Sequence, residues 1–462
     1  MSGPLTLTAQ KIEEFSENRN TFLKELGDHI TASRNSRTID NFKKFDRYAG
    51  TGLFREEDLA RIRKTCNIML HQRVPVSPYY SEYLNVLCLL KTSQVEQIVF
   101  DTWNNIVDSL LDDVQNRRFS GVQEFLAFSA GFFEKQAIRY SDLGTSWLCK
   151  GAEFQLEYVN KAPVVRFREL DLTAKRGSDS IVIQRTGGTY YPLEHLWRGQ
   201  GGIVTWERLD LNSDVFVELG SYQLETKKSL YTVENARLHY PLYFGEEMVE
   251  GIFSDKLVSQ NPATEGSYPR FQSAENLLEI SNFGEGIQFI GGFRMEGTTV
   301  YGFGTADQKA TLLLRNKKEI VSYYGQAELF TIKQEERIIG ESVESILYFG
   351  QDSIYHPSVN VRFEIPTREL QLSRGKRGND RNPFFLSLSK VNVDVERIDF
   401  MLDQDSIYIG RRNFGFAKSS TSATFESLKY FQESEYFRLQ NISTTNPIAL
   451  LKLISQEVDD RV

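Results

Sequence analysis

The strongest constraint on this chain is a change of hydrophobic period near Gly151. Before it, apolar residues recur at three- and four-residue steps. Ile12, Phe15, Phe22, Leu23, Leu26 and Ile30 make one stripe, Leu59, Ile62, Cys66 and Met69 another, and Val122, Phe125, Leu126 and Phe133 a later one. That spacing is the face an amphipathic helix turns to a core. After Gly151 apolar and polar residues alternate, as in 154–158, 165–172, 215–219 and 361–365. Alternation of period two is the mark of half-buried strands.

The expected fold class is therefore α+β. A helical domain spans 1–150 and a β-rich domain 151–418. A helical extension over 419–462 follows the polar linker Ser419-Ser-Thr-Ser-Ala-Thr424. Many short strands without crossover helices exclude a doubly wound parallel sheet. Two arrangements remain open, an irregular β-solenoid and a stack of antiparallel sheets. Asp-Ser-Ile recurs at Asp179, Asp352 and Asp405, each time before an apolar alternation, so the phrase reads as a turn opening a strand. Gly187-Gly188, Gly199-Gln-Gly-Gly202 and Gly291-Gly292 also read as turns.

Composition excludes several functions. The formal net charge is −8, and residues 1–150 carry equal numbers of acids and bases, so the excess lies wholly in the β part. An acidic β part does not suit a nucleic-acid backbone, and no nucleic-acid partner is expected. No apolar run approaches the length of a membrane-spanning helix. Three cysteines and five histidines, scattered, suit neither a disulfide framework nor a structural zinc site, and no metal or cofactor is expected. Cys66 lies on an apolar helical face and reads as a small buried hydrophobe, since His29 and His71 show no local signature of a thiol catalyst.

Three groups of residues could carry chemistry. In the aromatic run 190–206, Tyr190, Tyr191, Trp197 and Arg198 offer flat rings and a planar cation beside glycines, which suits a glycan; the same residues suit the inside of a sheet. Arg374, Lys376, Arg377 and Arg381, interleaved with glycines, suit an anion or simply a solvated turn. Asp394, Glu396 and Asp399 alternate, placing Asp394 and Glu396 on one strand face, as a polysaccharide-cleaving site would need and as an ordinary solvent face also does.

Several phrases carry a family resemblance. They are Glu169-Leu-Asp-Leu-Thr173, Tyr190-Tyr-Pro-Leu193, Gly201-Gly-Ile-Val-Thr-Trp-Glu207, Tyr268-Pro-Arg-Phe271, Ile290-Gly-Gly-Phe293, Asp352-Ser-Ile-Tyr-His-Pro357 and Asn382-Pro-Phe-Phe385, with Phe22-Leu-Lys-Glu-Leu-Gly27 and Cys66-Asn-Ile-Met69 nearer the start. Together they resemble the N-terminal part of very large exported proteins of Bacteroidota, a family of uncharacterised function. The resemblance implies a removed signal peptide, a longer native C-terminus and a place in the periplasm or at the cell surface. It assigns no active-site residue. The opening Met1-Ser-Gly-Pro has neither a basic start nor an apolar run, which read literally implies a cytoplasmic protein.

The expected function is a non-catalytic structural or surface-binding segment of a large exported envelope protein. Its partners would be the rest of the same polypeptide, other envelope proteins or a glycan. The alternatives are a carbohydrate-active lyase or hydrolase on a β-helix and a cytosolic scaffold.

Overall fold

A computed structural model describes residues 12–114, 118–257, 267–280, 282–333, 335–376, 378–404, 406–410, 423–427 and Ile454. Six helices come first: α1 (Arg19–Thr31), α2 (Ser36–Gly50), α3 (Glu56–His71), α4 (Ser81–Thr92), α5 (Gln97–Asp112) and α6 (Ser120–Lys135). Asn18 and Asn35 open the first two by accepting the N–H groups of Thr21 and Thr38 at 3.1 and 3.0 Å. Such caps satisfy donors that a helix start leaves unpaired. Inside the bundle the Tyr83 ring stacks on Trp103 at 5.6 Å, and Trp103 Nε1–H donates to Ser129 at 2.8 Å. Asp58 is buried among partners. Burial alone would raise its carboxyl, but Lys91 at 2.8 Å, the Arg55 N–H and Gln97 outweigh that and hold it below the usual range.

Strands then dominate, and the described strands pair antiparallel. The chain divides into two compact units, one of 1–241 with 246–271, the other of 242–245 with the described residues from Gln272 onward. The helices belong to the first unit together with eleven strands. These are β1 (Ala137–Arg139), β2 (Ser146–Leu148), β3 (Phe154–Val159), β4 (Ala162–Arg176), β5 (Asp179–Tyr191), β6 (Leu196–Gln200), β7 (Ile203–Thr205), β8 (Phe216–Leu219), β9 (Ser221–Glu225), β10 (Leu230–His239) and β11 (Met248–Lys256). Helix α6 lies on this sheet through aromatic rings, Phe128 against Tyr190 at 5.4 Å and Phe132 against Phe154 at 4.7 Å.

After the single turn α7 (Pro241–Phe244), β12 (Arg270–Ser273) and β13 (Leu278–Ile280) lead on. The strands of the second unit are β14 (Ile287–Glu296), β15 (Thr299–Phe303), β16 (Ala310–Arg315), β17 (Val321–Ala327), β18 (Leu329–Lys333), β19 (Arg337–Phe349), β20 (Asp352–Glu364), β21 (Glu369–Ser373), β22 (Phe384–Leu386), β23 (Val391–Asp394), β24 (Arg397–Met401), β25 (Ser406–Ile409) and β26 (Thr424–Ser427). Antiparallel pairing of consecutive strands rules out the β-solenoid, whose coils stack in parallel, and leaves antiparallel sheets. Between 160 and 410 the longest described α-helix is α7, with 4 residues. The extension expected over 419–462 lies almost wholly outside the described residues.

The pairings have a simple order. Each traverse of the chain is either one long strand or two short ones, and it pairs with the traverse before and the traverse after. In the second unit β19 pairs with β18 through 337–340 and with β17 through 344–347. It pairs with β20 along nearly its full length. β20 then pairs with β21 through 360–364 and with β22 through 354–355. β21 and β22 pass on to β24 and β23, which pass on to β25 and β26. Two ladders thus run side by side, joined by strands long enough to belong to both. The first unit repeats this order with β4 and β5 as the long hairpin, β6 and β7 in place of β21 and β22, and β9 and β8 in place of β24 and β23.

The long strands slip register where they pass from one ladder to the other. Between Gly340 and Val343 the buried residues change parity, from Ile338 and Gly340 to Val343, Ser345 and Leu347. β4 slips between Phe167 and Leu172, and β10 between Val233 and Ala236. An extra residue on one strand turns the following side chains to the other face, so both halves keep an apolar side toward a core. Arg368, after β20, ties the second unit together: its guanidinium donates to Asp403 at 3.0 Å and to the carbonyls of Glu285 and Arg315.

Two glycine pairs read as turns lie inside strands instead. Gly187-Gly188 is in β5 and Gly291-Gly292 in β14. Gly292 sits opposite Phe303, and a Cβ there would fall 2.4 Å from the Phe303 ring. The glycine makes room for an aromatic ring lying across the strand. The Asp-Ser-Ile phrases at Asp179 and Asp352 do open strands, β5 and β20. Asp405 is outside the described residues.

Candidate functional site

The aromatic run folds into the β5–β6 hairpin, where Tyr190 faces Trp197 and Tyr191 faces Leu196. Adjacent residues of a strand point to opposite sides. Tyr190 and Trp197 point inward and are 1% and 0% exposed. Trp197 packs against Phe167 at 5.5 Å, and its Nε1–H donates to the Tyr222 hydroxyl at 3.3 Å, which also shares a hydrogen bond with Thr186 at 2.7 Å. Two of the three rings proposed for a glycan are therefore core residues and offer no stacking face. Tyr191 and Arg198 remain outside, with the guanidinium 4.7 Å from the ring centre. The neighbouring glycines serve the core as well. A Cβ on Gly199 would fall 2.2 Å from the Tyr222 ring, and one on Gly188 would fall 2.7 Å from the Trp197 ring.

The basic loop is largely committed to its own fold. Arg374 donates to the carbonyls of Arg381 and Asn382 at 3.0 and 3.2 Å and to Asp394 at 2.6 Å. Arg381 donates through Nε to the Lys376 carbonyl. His356, buried beneath, contacts the Asn382 carbonyl through Nε2 at 2.7 Å. Lys376 and Arg381 are exposed, and Arg377 lies outside the described residues. Arg374 is thus engaged in closing the loop.

The acids differ in burial. β23 ends at Asp394 and Glu396 lies in the bend before β24; both are exposed on either side of buried Val395, as on an ordinary solvent face. Asp399 is fully buried on β24 and paired with Arg397. All three cysteines are buried; burial lifts the Cys88 thiol to about 11 and that of Cys149 to about 12, and raises Cys66 further. Thiols this far from ionising are poor nucleophiles at neutral pH.

A site the period and motif reading missed lies in the first unit. Arg208, just after β7, reaches Asp255 on β11, which is 1% exposed. Asp255 Oδ1 also accepts the Lys256 N–H at 2.8 Å, while Oδ2 is buried with no hydrogen-bond partner. Arg208 Nη1 is likewise buried without one, 3.7 Å from Asp179 Oδ1. The pair borders a cavity of about 150 Å³. Next to Asp255 the rings of Trp147, Tyr231, Phe253 and Trp206 form a chain with centre distances of 5.7–6.3 Å. Sequence spacing could not find this site, because Asp179, Arg208 and Asp255 come from three separate traverses. The one signal was an Asp at an inward-facing position of the β11 alternation.

Burial lifts the Asp255 carboxyl to about 7; Arg208 and the Lys256 N–H oppose this and Asp179 adds to it. The folded state then holds a proton that the unfolded chain releases near the ordinary carboxylate value. This contribution to stability is complete below the unfolded pKa and is lost as pH rises through about 7. The free energy of unfolding should therefore fall between pH 5 and 8, by at most about 1.4 kcal/mol per pH unit. Asp255→Asn should flatten that slope. An unchanged slope in the variant would show that Asp255 is not the group responsible.

No family model, no curated protein and no solved structure matches this chain. Among the described residues no helix is long and apolar enough to cross a membrane.

Proposed function

We propose that this chain is a structural and surface-binding segment, without catalysis of its own, of a larger exported envelope protein. The observation that carries the reading is the pairing order. Each traverse bonds to its two neighbours in sequence, so the sheet grows by repetition, as in quasi-one-dimensional proteins whose stability accumulates from unit to neighbouring unit. Within each unit such an array presents surface. The side chains that looked chemical support the same reading, since Arg374, Asp394 and Asp399 are engaged in holding strands and loops together. For a glycan, Tyr191 and Arg198 are the outward part of the aromatic run.

The test is made in the source cell with the gene intact. Fractionation should place the protein in the envelope, and protease added to whole cells should cut it if it reaches the surface. Recovery of the bulk in the cytosol would overturn the proposal.

A further inference from the structure

We propose that the cavity between β5, β7 and β11 binds a small zwitterionic α-amino acid, its carboxylate held by Arg208 and its ammonium by Asp255. The inference is independent of the structural role proposed above.

The ladder is open where its counterpart is closed. In the second unit β22 pairs with β20 at Ile354↔Leu386 and Tyr355↔Phe385, and Ser353 and Ser387 close the end with hydrogen bonds of 2.8 and 2.9 Å. In the first unit β7 meets β5 at one pair, Gln184↔Ile203. Beyond that pair, Ser180–Val182 of β5 and Val204–Thr205 of β7 line the cavity instead. Space that hydrogen-bonded strands fill in one unit is left free in the other.

Arg208 meets Asp255 through one nitrogen and one oxygen, leaving Nη1 as an unused donor and Oδ2 as an unused acceptor. Buried polar atoms without partners are rare and call for an explanation. A simple anion would meet the carboxylates of Asp255 and Glu207, with Asp179 close behind. A simple cation would meet Arg208. A ligand carrying a carboxylate and an ammonium on one carbon satisfies both unused atoms and adds no net charge. Carboxylate recognition by guanidinium is among the stronger polar contacts available to a protein.

A cavity of about 150 Å³ is the volume that takes a six-carbon ring. Glycine and alanine fit that limit, and the buried side chains of Ile181 and Val204 give the wall an apolar part suited to a methyl group.

Calorimetry or ligand-observed NMR on the full chain, above the pH of about 7 at which Asp255 ionises, tests this with glycine, L-alanine, N-acetylglycine and glycinamide. The expected result is saturable binding of glycine or alanine, with both capped compounds weaker by about ten-fold or more, since each lacks one of the two charges. Arg208→Gln and Asp255→Asn should abolish binding. Should either fail to fold, Ser180→Val at the cavity wall serves, with a loss of at least about ten-fold expected. The proposal is overturned if neither amino acid binds at about 100 mM, a level above any useful affinity. It is equally overturned if the capped compounds bind as well as glycine, or if a crystal grown with glycine holds ordered water alone in the cavity.

Discussion

Trp197→Ala is expected to destabilise the protein by about 3–5 kcal/mol, the usual cost of emptying a buried tryptophan site. The residue is fully buried, and its loss would also strip the Tyr222 hydroxyl of one donor and uncover the flank of Phe167. Urea denaturation followed by circular dichroism measures this. Arg198→Ala, one residue along and outward, should change stability by no more than about 0.5 kcal/mol, as surface substitutions do. The pair separates two meanings of the aromatic run. If Trp197→Ala cost under about 1 kcal/mol, the ring would not be a core element.

The second large effect is expected at Gly302. A Cβ there would fall 2.1 Å from the ring of Phe289, which is 1% exposed and wedged against Phe283 at 5.7 Å and Phe330 at 6.0 Å. A ring held on both sides cannot swing away, so Gly302→Val should cost about 3 kcal/mol, the upper end of ordinary overpacking. Phe289→Ala should cost a similar amount by leaving a cavity. Combined, the two should cost less than their sum, because the valine enters the space the ring vacates. Strict additivity in the double-mutant cycle would refute the clash.

The period change was legible, and it placed helices and strands correctly because each depends on local spacing. The helix-to-strand transition comes between Lys135 and Ala137, somewhat before Gly151, since β1 and β2 are too short to show two full alternations. The phase slips at Gly340–Val343 and Phe167–Leu172 are written in the sequence as well, as two consecutive positions of one character inside an alternation. They look like noise until the pairing shows both halves buried. The site was the least legible part. Tyr190 and Tyr191 are equivalent by composition, and only the strand they occupy decides which one faces Phe128. Glycines beside aromatics had two explanations, an approaching ligand and an approaching ring, and the cross-strand pairing of Gly199 with Tyr222 selects the ring. Arg208 and Asp255 stand 47 positions apart, and nothing local joins them.

The pairing order also sets rules for how such a chain can change length. Delete two consecutive traverses and the flanking strands meet again in the same antiparallel sense, with every later contact intact. Delete one and the direction of everything downstream is reversed against its neighbour. Inherited insertions and losses in this region should therefore come in even numbers of traverses, in blocks beginning and ending at hairpins such as the one between Phe349 and Asp352.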